Sequence, residues 1–596
     1  MILSILLCFL SIAWTKQDWK DCGPGKARFH LDLTWETGSP DGFAREMIHV
    51  NGQFPGPTLN INQGDAVEIV VHNHMPYNTT VHFHGIEQIG TPWSDGVPGL
   101  SQRPILPGSS FTYTWTAYQY GSYFYHAHSR GQIDDGLYGA ITIKPSLEEP
   151  KSFGTIAKTQ KDLDSLVKAE AEVKPLIFGD WRHVTSSETW ELEQAAGIET
   201  ACVDSLLVNR KGFVNCWSRE DIQTFTSPPA KQVLGGLNYT DKGCLQPQVL
   251  IALFPGKSPT NISSLPKEIF EVCTPTNGST AVIEVSLADN EWVAFDMIST
   301  AGFQTLTVSI DEHPLWIYAV DGRYVEPILV EAITLENGER YSVFTKLDKP
   351  AGDYKIRSSG IALAQIMSTT ATLSYAGLVK QQKASVPYTN MAGGNTTADV
   401  AFFSQAQQKG FPASSPAKTV DQTIILGLVP AGASYLWSLN GTSYSMSLED
   451  TSPLLFASPS TVHSNLTITT KNNTWVDLIL NVTTPGQPPH PIHKHSNKGY
   501  IIGAGTTVFN YSSVEEALKY ILENFNFENP PLRDTFTTPP SATGPTWLAV
   551  RYHVVNPGAF LLHCHIQSHL VGGMAMAILD GVDEWPEVPG EYEGYH

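Results

Sequence analysis

The sequence is short of positive charge and, beyond its N-terminus, of long hydrophobic runs. Its 596 residues include 37 Lys and Arg against 58 Asp and Glu, which gives a formal net charge of −21. Nucleic acids bind proteins through Lys and Arg that replace phosphate counterions, so we expect no nucleic-acid partner. No run of about 18 apolar residues follows position 15, so we expect no membrane anchor. Both absences favour a soluble protein.

The N-terminus is apolar from residue 2 to residue 14, but this stretch is too short to span a bilayer. We interpret residues 1–15 as a secretory signal peptide, with the small residues Ala13 and Thr15 near its cleavage point. Ten Asn-x-Ser/Thr sequons, among them Asn78, Asn238 and Asn395, agree with passage through a glycosylating compartment. The sequence therefore predicts a secreted, extracellular glycoprotein.

The sequence contains seven cysteines, which we expect to be in an oxidising compartment. Cys8 lies in the signal segment, and Cys564 lies between two histidines. The other five cannot all pair, so we expect two disulfides and one buried thiol, with a pairing that spacing alone does not give. These five are Cys22, Cys202, Cys216, Cys244 and Cys273.

Short apolar or alternating segments, separated by Gly, Pro and Asn, predict an all-β fold. Examples are residues 66–71, 110–116, 281–285 and 466–469. The best helical pattern spans residues 512–524, where Ser512 and Glu515 are spaced for a capping box. We interpret that segment as an insertion into a β structure.

Two changes of composition divide the chain into three predicted domains. Residues 146–173 are rich in charge, and residues 378–415 are rich in small residues and Gln, as linkers are. The predicted domains span residues 20–147, 155–375 and 420–590, with a linker at 376–419. The first and third each contain two histidine clusters and the second contains none, which suggests a repeated β-sandwich unit.

Ten of the nineteen histidines fall in four short windows. Because residues i and i+2 of a strand project from the same face, a His-x-His pair can direct two imidazoles at one point. Imidazole suits copper, zinc, iron or nickel, and a nearby thiolate narrows this choice. The windows are His82-Phe83-His84-Gly85, His126-Ala127-His128, His490-Pro491-Ile492-His493-Lys494-His495, and His563-Cys564-His565 followed by His569.

The thiolate window predicts an electron-transfer site. His490, Cys564 and His569 fit the trigonal His₂Cys set of blue copper, and Met574 is placed to be its weak axial ligand. In a strand, Cys564 faces away from His563 and His565, so this tripeptide can touch two metal sites on opposite sides. Several coppers on the far side could pass four electrons to one O2.

The four windows resemble the signature segments of multicopper oxidases, the group of laccases, ascorbate oxidases and ferroxidases. Residues 51–57, 94–98 and 529–534 are also similar to family sequence, whereas the middle domain matches loosely. The resemblance implies three consecutive cupredoxin-like Greek-key domains and four copper ions per chain. It implies a type 1 copper on His490, Cys564, His569 and Met574, and a type 2 copper on His82 and His493. It implies a type 3 pair, shared by the first and third domains, on His84, His126, His128, His495, His563 and His565.

The resemblance also suggests acids for proton transfer. Asp95 is similar in position to an acid beside the trinuclear centre, whereas Gln567 stands where many relatives have a second acid. Asp204 resembles the acid that accepts a phenol proton in fungal laccases, while Glu199 lies near a position where ferroxidases carry an iron-binding acid. Which of these two serves the substrate stays open.

We therefore expect a monomeric laccase-like oxidase that takes single electrons from phenols or related aromatic donors and reduces O2 to water. A ferroxidase or other metal oxidase is the alternative, followed by an ascorbate or bilirubin-type oxidase. A cupredoxin-type carrier would need only the type 1 ligands and would leave eight histidines unexplained. A zinc hydrolase needs only three or four ligands around its metal. The four histidine windows and the methionine offer many more ligands than that.

Overall fold

The computed structural model describes residues 25–595, except for residues 255, 257, 378, 382, 463, 542 and 543. The predicted signal peptide and Cys22 lie outside the described residues. The described strands form six sheets that follow one another in pairs along the chain. These pairs confirm the predicted all-β fold of three consecutive β-sandwiches.

The first sandwich contains two four-stranded sheets. One is formed, in spatial order, by Arg45–Val50, Lys26–Gly38, Ala66–Asn73 and Ser110–Thr116. The other is formed by Leu59–Asn62, Tyr138–Lys144, Gly121–Ala127 and Val81–His84. The strand Ala66–Asn73 buries alternate residues such as Val67, Ile69 and Val71, as expected for a strand with one face on the core.

The second sandwich is the largest and contains both disulfides found among the described residues. Its seven-stranded sheet has the order Lys211–Phe213, Ser205–Val208, Lys174–Trp181, Trp292–Ser299, Arg340–Lys346, Leu315–Val320 and Arg323–Val330. Its five-stranded sheet has the order Val282–Val285, Met367–Tyr375, Asp353–Gly360, Leu306–Ile310 and Ala332–Leu335. The bonds Cys202–Cys244 and Cys216–Cys273 confirm the prediction of two disulfides.

The third sandwich pairs a six-stranded with a five-stranded sheet. The first has the order Trp437–Leu439, Gln422–Pro430, Trp475–Val482, Thr546–His553, Gly499–Gly505 and Leu532–Arg533. The second has the order Thr467–Thr469, Ala575–Asp580, Gly558–Cys564, Pro491–Lys494 and Thr535–Thr537. Cys564 ends a strand that is buried along its whole length.

The helices differ from the prediction. Within residues 512–524, an α-helix covers only Val514–Ala517, and Ser513 rather than Ser512 caps it by accepting from the Glu516 amide. The predicted capping box is wrong because the amide and hydroxyl of Ser512 both donate to the Glu516 carboxylate rather than to Glu515. The other α-helices are Gln160–Ala171, Ser186–Ala196, Arg219–Phe225, Pro228–Leu234, Pro247–Leu253, Lys267–Phe270, Gln567–Val571 and Gly590–Glu593.

The two longest helices were not predicted, although the sequence contains their signals. Thr159 with Asp162 and Thr185 with Glu188 form capping boxes at their N-termini. The first helix lies inside the charged segment that was interpreted as a boundary. In the part of the chain that the structure describes, no helix is both long and apolar enough to cross a membrane.

Candidate metal centre

Strand pairing brings the histidine windows together two by two. His82 lies opposite His126 where Val81–His84 pairs with Gly121–Ala127. In the third sandwich His493 lies opposite His563, and Ile492 lies opposite Cys564. Each sandwich thus presents two windows at the end of one sheet, and all these histidines are buried.

The two sandwiches meet at these histidines. The ring of His82 stacks on His495 with 3.8 Å between centroids, and His84 stacks on His493 at 3.7 Å. His128 Nε2 lies 3.4 Å from His563 Nε2. The members of this eight-histidine cluster are His82, His84, His126, His128, His493, His495, His563 and His565.

Within the cluster, three sets of side chains have ligand atoms that all lie within 4.8 Å of one another. These compact sets suit metal ions bound side by side. The sets are His82 with His84 and His493, His84 with His126 and His565, and His128 with His495 and His563.

The hydrogen bonds of the rings fit metal ligation. His82, His126 and His493 each use Nδ1 for a backbone carbonyl, of Asp95, Ala127 and Asp534 respectively, at 2.6–2.8 Å. Their Nε2 atoms are buried without any partner, as are Nδ1 of His84 and both nitrogens of His565. Buried polar atoms are rarely unpaired, and a ligand histidine commonly anchors its second nitrogen on a carbonyl. The cluster therefore fits metal ions.

Burial keeps these imidazoles neutral. It lowers the pKa of His126 to about 3 and that of His563 to about 4, and it moves the pKa of the other six well below the ordinary value. Neutral imidazole is the form that binds a metal. The copper-free cluster is thus already in its ligating state.

Asp95 lies at this cluster, as the sequence suggested. Its carboxylate oxygen Oδ2 is 2.9 Å from His495 Nδ1, and its backbone carbonyl accepts from His82. The side chain is fully buried, and burial raises the pKa of this carboxyl well above its usual range. Asp95 can therefore hold a proton next to the cluster.

A clamp from the middle sandwich was not predicted. Arg340 donates through both terminal nitrogens to Asp534, at 2.6 and 2.7 Å, and Asp534 in turn fixes His493 through its carbonyl. Lys498 also contacts the Asp534 carboxylate. Asp534 closes the family-like segment at 529–534, but its partner Arg340 lies 194 residues away and has no local signal.

The cysteine cluster consists of His490, Cys564 and His569. Nδ1 of His569 and of His490 lie 3.6 and 3.8 Å from the Cys564 sulfur and 3.2 Å from each other. His490 places Nε2 against Gln487 at 2.8 Å, which leaves Nδ1 for a metal. This His₂Cys set fits copper. Met574 is fully buried, and its carbonyl accepts from the Cys564 amide at 3.0 Å.

An apolar cavity of about 510 Å³ opens onto the cysteine cluster between the second and third sandwiches. Its walls include Leu250, Phe254, Phe303 and Leu363, and it reaches His569. A cavity of this size and lining suits a small aromatic molecule.

Glu199 is the carboxyl that this cavity shares with the cysteine cluster. Its Oε1 lies 3.6 Å from His569 Nε2 and accepts from Ser568, and its Oε2 accepts from the Trp437 indole. Burial raises the pKa of Glu199 above its ordinary value. Glu199 is therefore placed to accept a proton from a molecule in the cavity.

The structure does not bring Asp204 to the cavity walls. Its carboxylate is 2.6 Å from the buried Lys242 ammonium and accepts from the His183 amide. Burial acts to raise the pKa of Asp204, but the charges of Lys242 and His183 bring it below its ordinary value. A carboxylate held by an internal ammonium is a weak base, so this arrangement favours Glu199 over Asp204 as the acid that serves the cavity. Sequence could not reveal the pairing, since Lys242 follows Asp204 by 38 residues.

Comparisons with known proteins found matches over most of the chain. Three family models described as multicopper oxidase match residues 32–148, 172–378 and 440–584. The chain is 45% identical over 566 residues to laccase abr2 of Aspergillus fumigatus, covering 94% of this chain and 95% of that protein. It is 39% identical over 593 residues to laccase-1 of Emericella nidulans, covering 94% and 97%. The solved laccase of Botrytis aclada has a similar fold, with a TM-score of 0.68 and 23% identity over 96% of this chain and 91% of that one.

Proposed function

Since the chain belongs to the multicopper oxidase family, and is a copper oxidoreductase that uses O2, we propose a laccase-like function with phenols or related aromatics as donors. Each donor would lose one electron, and four electrons with four protons would convert O2 to two waters. We also propose that the protein is secreted and acts as a monomer.

We propose that four copper ions bind, one at the cysteine cluster and three at the eight-histidine cluster. Copper would supply one-electron redox chemistry at both places. His82 and His493 would hold the type 2 ion, and the other six cluster histidines would hold the type 3 pair. The unpartnered nitrogens of His82, His84 and His493 support this assignment. Met574 would be the axial neighbour of the type 1 ion.

The three domains would contribute different parts of the copper sites and of the cavity. Residues 20–147 and 420–590 would share the eight-histidine cluster, while residues 155–375 would supply most of the cavity walls and Arg340. The tripeptide His563-Cys564-His565 would link the two clusters, because Cys564 belongs to one and its neighbours to the other.

The observation that carries the donor class is the apolar cavity with Glu199 at its inner end. A phenol that loses an electron becomes strongly acidic, so a nearby base avoids a charged radical. Glu336 also lines the cavity, but burial and the charge of Glu339 raise its pKa to about 8. Since this pKa favours the neutral form of Glu336 at pH 7, Glu336 supports a neutral donor better than Fe(II).

The test is O2 consumption by the copper-loaded protein with a methoxyphenol, an aminophenol, ascorbate and Fe(II) offered separately. We expect the highest kcat/KM with the phenols. Preference for Fe(II) would instead make the protein a ferroxidase.

Variants of Glu199 and Asp204 test which carboxyl accepts the proton of the phenol. Glu199→Gln should lower kcat/KM for phenols by about 100-fold, the usual contribution of a positioned base, and leave ferrocyanide, which releases no proton, little changed. Glu193→Gln is the matched control, because Glu193 is buried nearby but accepts from Thr200 and does not line the cavity. If Asp204→Asn rather than Glu199→Gln lowers phenol turnover, the role of Glu199 is wrong.

A further inference from the structure

A second cavity adjoins the eight-histidine cluster at His128. It is lined by His128 and Gln567 at its buried end and by Arg130, Tyr444 and Glu449 towards solvent. Its volume is about 40 Å³. That volume has room for about two or three water molecules.

Gln567 cannot transfer protons as an acid in this cavity, because an amide does not ionise at ordinary pH. Asp95 lies beside His495 and His82 and does not line this cavity. Reduction of O2 to water consumes four protons, so an ionisable group in this cavity would be useful for supplying them to the cluster.

Glu449 is the carboxyl that lines this cavity. It belongs to a short 3₁₀ helix, Met446–Asp450, that reaches across from the third sandwich to the first. Oε2 accepts from the Ser129 hydroxyl at 2.9 Å, and Oε1 accepts from the Arg130 amide at 3.2 Å. The side chain is only 15% exposed. Glu449 is thereby held next to the residue that follows His128.

The rim of the cavity is charged and open to water. Arg130 pairs with Asp450 at 2.5 Å, and both side chains are about half exposed. The Arg130 Nε also lies 3.8 Å from the Glu449 carboxylate. Protons can thus reach Glu449 from solvent at this rim, while water in the cavity can connect it to the buried end.

We propose that Glu449 relays protons from solvent, through the waters of this cavity, to the eight-histidine cluster during O2 reduction. The proposal rests on the proposed oxidase function. In each transfer Glu449 releases its proton inward and recovers one from bulk water, so no other reactant is needed. Glu449 is a relay residue and does not itself touch O2.

The protonation of Glu449 suits this role. Burial raises its pKa to about 7, against the opposing hydrogen bonds from Arg130 and Ser129 and the opposing charge of Arg130. The other ionisable groups around it are Asp450, Tyr444 and His128. A carboxyl with a pKa near neutrality can both give and accept a proton.

The test compares Glu449→Gln and Glu449→Asp with Asp450→Asn as a matched control that removes the same charge at the rim. The reduced copper-loaded proteins are mixed with O2, and their reoxidation is followed from pH 5 to pH 9. We expect Glu449→Gln to slow reoxidation by about 100-fold and to remove the pH dependence centred near 7. Glu449→Asp should restore part of the rate. Asp450→Asn should keep the wild-type rate, with its pH dependence moved to lower pH because the charge of Asp450 helps to raise the pKa of Glu449.

Two readouts separate the relay from a structural effect. Anaerobic reduction of the type 1 site by phenol and the copper content should stay unchanged in Glu449→Gln. The infrared difference between the copper-free wild type and copper-free Glu449→Gln should contain one carboxylic acid band that titrates near pH 7; bands of other buried carboxyls cancel in this difference.

Unchanged reoxidation of Glu449→Gln across this pH range would overturn the relay while the oxidase function stands. A wild-type protein that binds copper but consumes no O2 would remove the proposed function and the relay with it.

Discussion

Replacement of Arg340 tests whether the middle sandwich holds the eight-histidine cluster in place. The Arg340 and Asp534 side chains are 0% and 1% exposed and form two short hydrogen bonds. Breaking a buried pair of this kind costs about 3–5 kcal/mol, because one charge is left without its partner. Asp534 keeps its contact with Lys498, so we expect Arg340→Ala to lower the free energy of unfolding by about 3 kcal/mol.

The same change should weaken copper binding. Asp534 orients His493 through its carbonyl, and loss of a group that orients a ligand commonly lowers metal affinity by about 10–100-fold. Urea unfolding measures the first effect, and competition with a copper chelator measures the second. The type 2 copper spectrum should change in Arg340→Ala and partly recover in Arg340→Lys, which keeps the charge but loses the paired hydrogen bonds.

Arg551 provides the matched control. It makes the same two-bonded contact with Asp477, at 2.7 and 2.9 Å, with both side chains buried and both residues in the third sandwich. Arg551→Ala should lose similar stability with unchanged copper affinity. Equal copper affinity in Arg340→Ala and Arg551→Ala would mean that Arg340 does not hold the eight-histidine cluster in place.

Two further predictions concern the copper sites. Met574→Leu should raise the potential of the type 1 site, since it removes the weak sulfur ligand expected to stabilise Cu(II); redox titration with an unchanged potential would contradict that ligation. The free energy of unfolding of the copper-free protein should fall as the pH drops below 6.5. The loss should be about 1.4 kcal/mol per pH unit for each buried histidine, because the histidine binds a proton in the unfolded chain but stays neutral in the folded chain. Burial holds the pKa of His126 and His490 at about 3, so their contribution to this loss persists for as long as the protein stays folded in acid. A flat urea midpoint between pH 7.5 and pH 5 would disprove it.

The histidine windows could be predicted from sequence because strand geometry is local. Residues two apart share a face, so spacing alone brings His82 to His84 and separates Cys564 from His565. The family resemblance then assigned the histidines of these windows to particular copper sites. The all-β fold followed from the short segments between turn residues for the same reason.

Contacts between distant segments could not be predicted in this way. Arg340 pairs with Asp534, and Lys242 pairs with Asp204. These contacts depend on how distant parts of the chain pack together, so the residues next to them in sequence give no sign of the pairing. The sequence therefore left open which of Asp204 and Glu199 serves the substrate. The helix Ser186–Ala196 was missed for another reason, since its capping box was present but its apolar stripe is weak.

The most direct test of the oxidase account is the number of electrons delivered to each O2. The copper-loaded protein is given a limited amount of O2 and excess methoxyphenol, and oxidised donor, O2 and hydrogen peroxide are measured together. We expect about four one-electron oxidations per O2 without peroxide, since the eight-histidine cluster should hold three of the coppers that complete the reduction to water. About two oxidations per O2, with stoichiometric peroxide, would contradict it.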